Sequence, residues 1–291
     1  MPLATTGDLV GRAAAARSAV TAFNVITLEH VEAVVAGAES VHSPVVLQVS
    51  ENAVKYRYGR LLPLARAAVA AAEAAAVPVA LHLDHVQSDS LLRQAPDAGF
   101  SSVMYDASGL PYAENLAATR AAADWAHAQG LWIEAELGEV GGKTGPGRAA
   151  APPLDAHAPG ARTWPAEARA FVADSGVDAL AVAVGSSHAM TTRTAALDHD
   201  LLKELSAALE VPLVLHGSSG VPDDELTAAV AGGIAKVNVG TALNLAMTGA
   251  IREYLAARPD AADSRGYLTA GREAMVRTVA SIIRVVAPTA Y

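Results

Sequence analysis

Four histidines stand at or near the carboxyl ends of predicted buried strands, where side chains of neighbouring strands can meet. These histidines are His82, His85, His188 and His216. Three neutral imidazoles around one open coordination position are the pattern of a catalytic zinc site. A single strand-end histidine is more often a core residue, but three at equivalent strand ends favour a metal site. The other five fall on predicted helices or loops and are interpreted as structural: His30, His42, His127, His157 and His199.

Carboxylates accompany these histidines. Asp84 directly precedes His85 in the segment LHLDH, so a metal held by His85 would have this carboxylate beside it. Asp84 could then act as a general acid and base, or it could only orient the ligand histidine. Asp106 in MYDAS and Glu136 in EAELGEVGG end two further strands on the same face. Their oxygens would suit a second cation or a hydrogen-bond network.

Two glycine-containing turns follow the last two predicted strands. The segments are HGSSG at residues 216–220 and NVGT at residues 238–241, and each leads towards a helix. Backbone N–H groups at such a turn, together with the amino end of a helix, commonly hold a phosphate group. One such turn is weak evidence, because glycine turns also simply end strands. Two at the expected positions favour a phosphate site.

The elements that position these residues alternate between short apolar segments and helix-length stretches rich in Ala and Leu, a pattern typical of βα units. The eight predicted strands are 20–25, 45–49, 77–83, 102–105, 131–137, 179–184, 213–215 and 235–239. This count predicts a (β/α)8 TIM barrel of the α/β class, and the alternative is an open, doubly wound sheet. Polar or small residues at the strand ends favour the barrel, which brings all those ends to one face.

The domain organisation follows from this pattern. Residues 1–291 are predicted to form a single domain, the barrel, with an extra C-terminal helix at residues 271–286. The stretch 138–164 is rich in Gly, Ala and Pro and breaks the alternation. It is predicted to be a mobile loop over the active face, and the alternative is a solvated insertion without a role.

Composition excludes several classes of protein. Hydrophobic residues make up 52% and charged residues 18% of the chain, which allows a large core and excludes a disordered protein. The formal net charge of −9, with no basic cluster, argues against a nucleic-acid partner. There is no cysteine, so a metal must bind to His, Asp or Glu. No apolar run reaches membrane-spanning length and residues 1–20 lack the features of a secretory signal, so we expect a cytoplasmic protein without a membrane partner.

Seven segments together resemble one known family. They are AFN at 22–24, PVVLQVSE at 44–51, VPVALHLDH at 77–85, EAELGEVGG at 134–142, VDALAVAVGSSH at 177–188, PLVLHGSSGVP at 212–222 and KVNVGTAL at 236–243. In this order they are similar to the class II, zinc-dependent ketose-bisphosphate aldolases, which include fructose-bisphosphate and tagatose-bisphosphate aldolases. The resemblance covers nearly the whole chain. It implies zinc on His85, His188 and His216, with Asp84 as the general acid and base.

The same resemblance implies further ligands and contacts. Asp106 and Glu136 are expected to serve an alternative or second metal position, for Na⁺ or a divalent cation. Other residues are expected to bind the two ends of the substrate, with the glycine turns at the dihydroxyacetone phosphate half and Ser50 and Arg272 near the second phosphate. The expected substrate-binding set is Asn24, Ser50, Gly217, Ser218, Ser219, Asn238, Val239, Gly240, Thr241 and Arg272.

The implied reaction is the reversible cleavage of a ketose 1,6-bisphosphate to dihydroxyacetone phosphate and glyceraldehyde 3-phosphate, with zinc polarising the ketone oxygen. Fructose 1,6-bisphosphate is the favoured substrate, and tagatose 1,6-bisphosphate or another ketose phosphate is the alternative. Family members are usually homodimers or homotetramers. A Schiff-base mechanism is disfavoured, because Lys236, the one lysine within a predicted strand, stands at its amino end.

The chain departs from this family at several positions. Ala189 stands where relatives usually have glycine, and Thr192 where a basic residue is common, with Arg193 one place along. Lys143 and Thr144 replace an acidic pair in the long loop. These departures motivate a third hypothesis, a non-catalytic metabolite-binding subunit. The retained histidines and the retained carboxylate beside them argue against it.

Overall fold

The apolar segments form a closed barrel of parallel strands. A computed structural model describes residues 3–138, 140 and 161–287. The strands are β1 Val20–Asn24, β2 Val45–Ser50, β3 Val79–Val86, β4 Ser102–Tyr105, β5 Trp132–Leu137, β6 Ala179–Val182, β7 Leu213–Leu215 and β8 Ile234–Val239. They pair in chain order, and β8 pairs with β1 to close the barrel. The predicted (β/α)8 architecture is therefore confirmed.

Helices surround this barrel. Those in the described residues are α1 Thr6–Ala15, α2 Leu28–Glu39, α3 Glu51–Tyr56, α4 Leu62–Ala74, α5 Asp89–Leu92, α6 Ala95–Ala98, α7 Tyr112–Ala128, α8 Pro165–Ser175, α9 His199–Ala208, α10 Asp223–Ala231, α11 Thr241–Ala257 and α12 Ser264–Val286. The predicted helix at 271–286 is the second part of α12. Of the two longer helices that flank the strands, α1 before β1 was not predicted, and α11 after β8 is the helix to which the NVGT segment leads.

Helix α1 closes the amino end of the barrel. Its residues Leu9, Val10 and Ala13 are buried in one cluster with inward-facing residues near the starts of four strands. The first residue of the helix, Thr6, accepts a 2.6 Å hydrogen bond from the Ser102 hydroxyl in the barrel interior. This helix therefore separates the amino end of the barrel interior from water.

Successive strand residues face alternately towards the helices and towards the barrel interior. In β2 and β3 the outward set is apolar and belongs to the main core, with Leu47, Leu81 and Leu83 fully or almost fully buried. The inward set contains polar residues, including Gln48 and His82, which are both fully buried. The barrel interior is thus polar over much of its depth, and this part of the molecule carries the site.

The C-terminal helix α12 packs against α2, α11 and β1. Gly37 of α2 makes this close approach possible, because a Cβ atom at this position would lie 2.6 Å from Cβ of Val279. The residues of α12 that face the core, among them Val279 and Ile283, are buried. The last helix therefore contributes to the fold of the first βα unit.

Two further sequence-based expectations concern the loop at 138–164 and segments that could cross a membrane. Most of the predicted loop at 138–164, with His157, Lys143 and Thr144, lies outside the described residues. Among the residues that are described, no helix combines the length and apolar character that are needed to cross a bilayer.

Candidate active site

Polar residues at the carboxyl ends of the strands line one cavity of about 900 Å³. Its lining includes Asn24, Ser50, Asp84, His85, Asp106, His188, Gly217, Ser218, Ser219, Asn238, Gly240 and Thr241. The cavity lies at the end of the barrel where active sites of this fold are found. The expectation that the strand-end residues converge on one face is confirmed.

Four strand-end side chains, of which His85 and His188 line the cavity, form a group that could hold a metal ion. His85, Glu136, His188 and His216 each offer one ligand atom, and these atoms all lie within 4.8 Å of one another. The three imidazole rings are mutually close, with centroids separated by 4.9 to 5.6 Å. Three imidazoles and one carboxylate, without any thiolate, are a suitable donor set for a divalent transition metal. The residues therefore fit a catalytic metal ion.

An irregularity in β3 turns two adjacent residues towards this cavity. Neighbouring strand residues normally point to opposite faces, but Asp84 and His85 both line the cavity. The pairing of β3 with β4 shifts register between Leu83 and Val86, and the backbone of His85 takes the left-handed conformation with φ of 50°. Such bulges and unusual backbone angles are common at functional sites.

Asp106 orients His85 and lies outside the four-residue group. The Nδ1 atom of His85 donates a 2.9 Å hydrogen bond to Oδ2 of Asp106, and the Ser108 hydroxyl donates to Oδ1 at 2.6 Å. The two carboxylates that were predicted as metal ligands thus have different positions. Glu136 is among the candidate ligands, whereas Asp106 is bonded to the back of a ligand ring, a common arrangement around metal-bound histidine.

His216 is enclosed between two glutamates of β5. Its Nε2 donates a 2.9 Å hydrogen bond to Oε1 of Glu134, and its Nδ1 lies 3.1 Å from Oε2 of Glu136. Burial alone would lower the pKa of His216, but its interactions with the two carboxylates outweigh this and raise the pKa to about 9. A cation that bound this imidazole would therefore have to displace a proton.

Glu134 is itself paired with Lys236 of β8. The Nζ atom of Lys236 lies 2.8 Å from Oε2 of Glu134, and both side chains are completely buried. Burial would raise the pKa of Glu134, but Lys236 and His216 lower it well below its ordinary range. The sequence motifs predicted this role for neither residue. Their spacing was the available signal, because residues two apart in a strand, such as Glu134 and Glu136, face the same side.

One carboxylate oxygen of Asp84 is hydrogen-bonded, and the other has no hydrogen bond to the described residues. Asn24 donates a 2.9 Å hydrogen bond to Oδ2, and Gln48 in turn donates to the amide oxygen of Asn24. Oδ1 is buried and makes no hydrogen bond to any residue in the described part of the chain. Burial would raise the pKa of Asp84, but the charges of His85 and other neighbours lower it. The ionised form, which can accept a proton, is favoured.

Residues of the two glycine turns also line the cavity. Gly217 has φ of 69°, and a Cβ atom there would lie 2.6 Å from the backbone oxygen of Ser187, so this position requires glycine. A short 3₁₀ turn, Ser218–Gly220, follows, and Ser219 accepts a hydrogen bond from the backbone N–H of Ala242 in α11. The amino end of α11 thus faces the cavity, an arrangement suited to an anion.

Sequence comparison decides the family. The family model described as fructose-bisphosphate aldolase class-II matches residues 4–289. This chain belongs to the class II fructose-bisphosphate aldolase family. It is therefore a class II aldehyde-lyase of a family that depends on a metal ion, and the resemblance seen in the motifs is confirmed.

Individual aldolases are similar over the same length. The chain is 38% identical to a probable fructose-bisphosphate aldolase of Bacillus subtilis, and the match covers 98% of this chain and 97% of that relative. It is 36% identical to a fructose-bisphosphate aldolase of Giardia intestinalis, over 94% of this chain and 90% of that one. Among solved structures, the YdjI aldolase from Escherichia coli K12 is similar with a TM-score of 0.83 and 30% identity, over 98% and 97% of the two chains.

Two residues that were predicted to bind substrate in this class II aldolase lie outside the cavity lining. Val239 is buried in β8. Arg272 lies on α12, where its guanidinium donates to the Glu32 carboxylate of α2. Arg193, the residue considered as a replacement for the missing basic side chain, donates to the backbone oxygen of Val221 and is likewise outside the lining.

One further side chain differs from its predicted position, and one residue of the cavity lining was not predicted. His82, first grouped with the possible ligands, lies deeper in the barrel and outside the four-residue group, with Nδ1 2.7 Å from the Ser102 hydroxyl. Burial lowers its pKa to about 3, assisted by the charge of Lys236, so it is neutral. Lys55 of α3 was not predicted, yet it lines the cavity, where it is paired with Glu51 at 3.0 Å.

Proposed function

We propose that this class II aldolase uses a zinc ion on His85, His188 and His216 to cleave a ketose 1,6-bisphosphate reversibly, with Asp84 as the general acid and base. The products would be dihydroxyacetone phosphate and glyceraldehyde 3-phosphate. The observation that carries the proposal is the unengaged oxygen of Asp84 beside a group of four candidate ligand atoms within 4.8 Å of one another.

A bound divalent cation supplies one function, which is to polarise the ketone oxygen of the substrate. Asp84 supplies the other. Its Oδ1 accepts the proton of the C4 hydroxyl as the C3–C4 bond breaks, which leaves an aldehyde at C4 and the electron pair on C3. C3 then takes up one proton from water, which completes dihydroxyacetone phosphate, and Asp84 releases its proton to solvent. In the synthetic direction the same carboxylic acid returns the proton to the aldehyde oxygen. Asn24 keeps the carboxylate oriented by its hydrogen bond to Oδ2.

The phosphate of the dihydroxyacetone half is proposed to bind at the glycine turns. Gly217 and Ser219 line one side of the cavity, and Gly240 and Thr241 line the side where α11 begins. Backbone N–H groups at the start of a 17-residue helix favour an anion without a basic side chain. This arrangement is compatible with threonine at position 192, which is exposed.

Fructose 1,6-bisphosphate is the favoured substrate because the relatives of Bacillus subtilis and Giardia intestinalis carry this substrate in their names. Tagatose 1,6-bisphosphate differs from it only in the configuration at C4, the carbon whose hydroxyl group Asp84 would approach. The complete set of candidate ligands and the buried carboxylate of Asp84 disfavour the non-catalytic alternative. We further propose a cytoplasmic location, because sugar phosphates are metabolites of the cell interior.

We also propose that the chain forms a homodimer or homotetramer and that a second cation can bind. Helix α11 exposes Leu245 and Leu255, with 47% and 37% of their surfaces accessible in the single chain. A homodimer or homotetramer that covered this helix would bury apolar surface. A second cation, Na⁺ or divalent, would need oxygen ligands beside the substrate, and Glu136 is the one carboxylate in the four-residue group.

The test is cleavage of both bisphosphates, coupled to detection of triose phosphate, with metal-free protein, zinc-restored protein and protein treated with borohydride in the presence of substrate. We expect activity only with zinc, faster cleavage of the fructose compound and no inactivation by borohydride, because Lys236 is buried in its pair with Glu134. Faster cleavage of the tagatose compound would make tagatose 1,6-bisphosphate the assigned substrate. If zinc-loaded protein cleaves neither compound, the proposal is wrong.

A further inference from the structure

Beneath the candidate metal site, a line of hydrogen-bonded charged groups continues into the barrel interior. It comprises His216 after β7, Glu134 of β5 and Lys236 of β8, and each of these side chains has no accessible surface. The Nε2 atom of His216 is 2.9 Å from Oε1 of Glu134, and Nζ of Lys236 is 2.8 Å from Oε2. Neither Glu134 nor Lys236 lines the cavity, so neither can touch the substrate.

This contact fixes which nitrogen of His216 can bind a cation. Nε2 must carry a hydrogen to donate to the carboxylate, so the metal-binding lone pair is on Nδ1. Nδ1 is on the side of the candidate ligands, where Oε2 of Glu136 lies 3.1 Å away. A ring that was turned over, or protonated on Nδ1, would present no lone pair to the group.

We propose that Glu134 is a positioning residue, which holds His216 with Nδ1 directed at the cation, and that Lys236 keeps Glu134 in the orientation this requires. The inference rests on the proposed function only for the presence of a cation at this site. An unpaired carboxylate inside the barrel would be costly, so Glu134 needs a buried counter-charge. Lys236 supplies it from β8, a strand that does not pair with β5 and on which Lys236 stands opposite Val214 of β7 in the sheet register.

The substitution Glu134→Gln tests this role because the lysine selects the orientation of the new amide. Lys236 has only donors, so the amide oxygen must face Nζ, and the amide NH₂ group then faces Nε2 of His216. Nε2 must accept that hydrogen bond, which moves the ring hydrogen to Nδ1 and blocks the metal-binding atom. We expect zinc affinity, measured by competition with a chromophoric chelator, to fall about 10- to 100-fold.

The double variant Glu134→Gln with Lys236→Met gives the decisive comparison. Without the lysine, the amide can rotate and present its oxygen to Nε2, which restores the original hydrogen position on His216. We therefore expect the double variant to bind zinc more tightly than Glu134→Gln alone. A purely structural role predicts the reverse, because two buried substitutions would disturb the barrel more than one.

Ser102→Ala is the matched control. It removes the buried hydrogen bonds of Ser102 to His82 and to Thr6 in the same interior, without touching His216. We expect a lower Tm with zinc affinity unchanged. If Glu134→Gln lowers only the Tm and leaves zinc affinity as in the wild type, or if the double variant binds zinc no better than the single one, the inference is overturned.

A measurement on the wild-type protein does not depend on how the variants fold. Nitrogen-15 spectra of the zinc-loaded protein with labelled histidine should show zinc on Nδ1 of His216 and hydrogen on Nε2, and the opposite assignment would overturn the inference. Failure of the proposed function would give a different result. If the wild-type protein binds zinc through Nδ1 of His216 but cleaves neither bisphosphate, the proposed reaction is wrong and the positioning role of Glu134 still stands.

Discussion

The side-chain amide of Asn24 holds Oδ2 of Asp84 through a 2.9 Å hydrogen bond, while Oδ1 of the same carboxylate has no hydrogen bond to the described residues. A carboxylate with one fixed and one unengaged oxygen has a defined orientation and still has an atom available to accept a proton. This relationship places the proposed general base next to His85, whose Nε2 lies 4.0 Å from the oxygen without a hydrogen bond.

The first prediction concerns this base. Asp84→Asn preserves the shape of the side chain but removes its capacity to take a proton, so we expect kcat to fall about 10²- to 10⁴-fold. Zinc content should remain that of the wild type, because Asp84 is outside the four-residue ligand group. Asp200→Asn, which changes a carboxylate that is 93% exposed on α9, should leave both quantities unchanged. Loss of zinc from Asp84→Asn would show that Asp84 is a ligand instead.

The second prediction is a pH dependence of metal binding. His216, whose pKa is about 9, holds a proton over the whole neutral range, and a cation must displace it. Zinc affinity should therefore rise with pH by about a factor of ten per pH unit between about pH 6.5 and 8. Competition titrations with a chelator of known proton affinity would measure the slope. A flat profile would mean that His216 is neutral before the metal arrives.

The third prediction concerns Ala189, which follows the proposed ligand His188. Its φ of 59° is a left-handed conformation that glycine adopts without strain. Ala189→Gly should raise the free energy of unfolding by about 1 kcal/mol, measured by denaturant titration. Ala121→Gly, on the exposed side of α7, should lower it by about 1 kcal/mol because it adds glycine to a regular helix. Equal effects of both substitutions would contradict this explanation.

The fourth prediction tests the contact between α2 and α12. Gly37→Ala would place Cβ 2.6 Å from two atoms of Val279 and 3.0 Å from the backbone oxygen of Val276, so the helices must separate. We expect a loss of about 1–3 kcal/mol in the free energy of unfolding. Gly11→Ala in α1, where nothing lies within 4 Å of the new atom, should instead stabilise the protein by about 0.5–1 kcal/mol. A neutral Gly37→Ala would show that the interface can adjust.

The barrel and most of its polar strand ends could be predicted from sequence, because apolar segments that end in residues such as Asn24 and Asp84 have a regular spacing. The bulge at His85 could not be predicted, since strand alternation alone would send Asp84 and His85 to opposite faces. The environment of Arg272 could not be predicted either, because its partner Glu32 is distant in the chain.

The charged pair inside the barrel was missed for another reason. Polar residues at strand ends indicate a site in a parallel barrel, whereas Glu134 and Lys236 lie within strands and are fully buried. From the sequence, Lys236 was a candidate only for imine chemistry. Spacing within β5 and β8 contained the information, since Glu134 shares a face with Glu136, and Lys236 with Asn238. Which nitrogen of His216 they would touch depends on tertiary geometry.

The two ends of the chain depend on each other through the barrel. The first strand is completed by pairing with β8, and α2 is covered by α12, which ends at Val286. These contacts join segments that are almost the whole chain apart, and such contacts slow folding because a long loop must close first. During synthesis, β1 therefore stays unpaired on one side until β8 has left the ribosome, and α2 stays uncovered until α12 has followed.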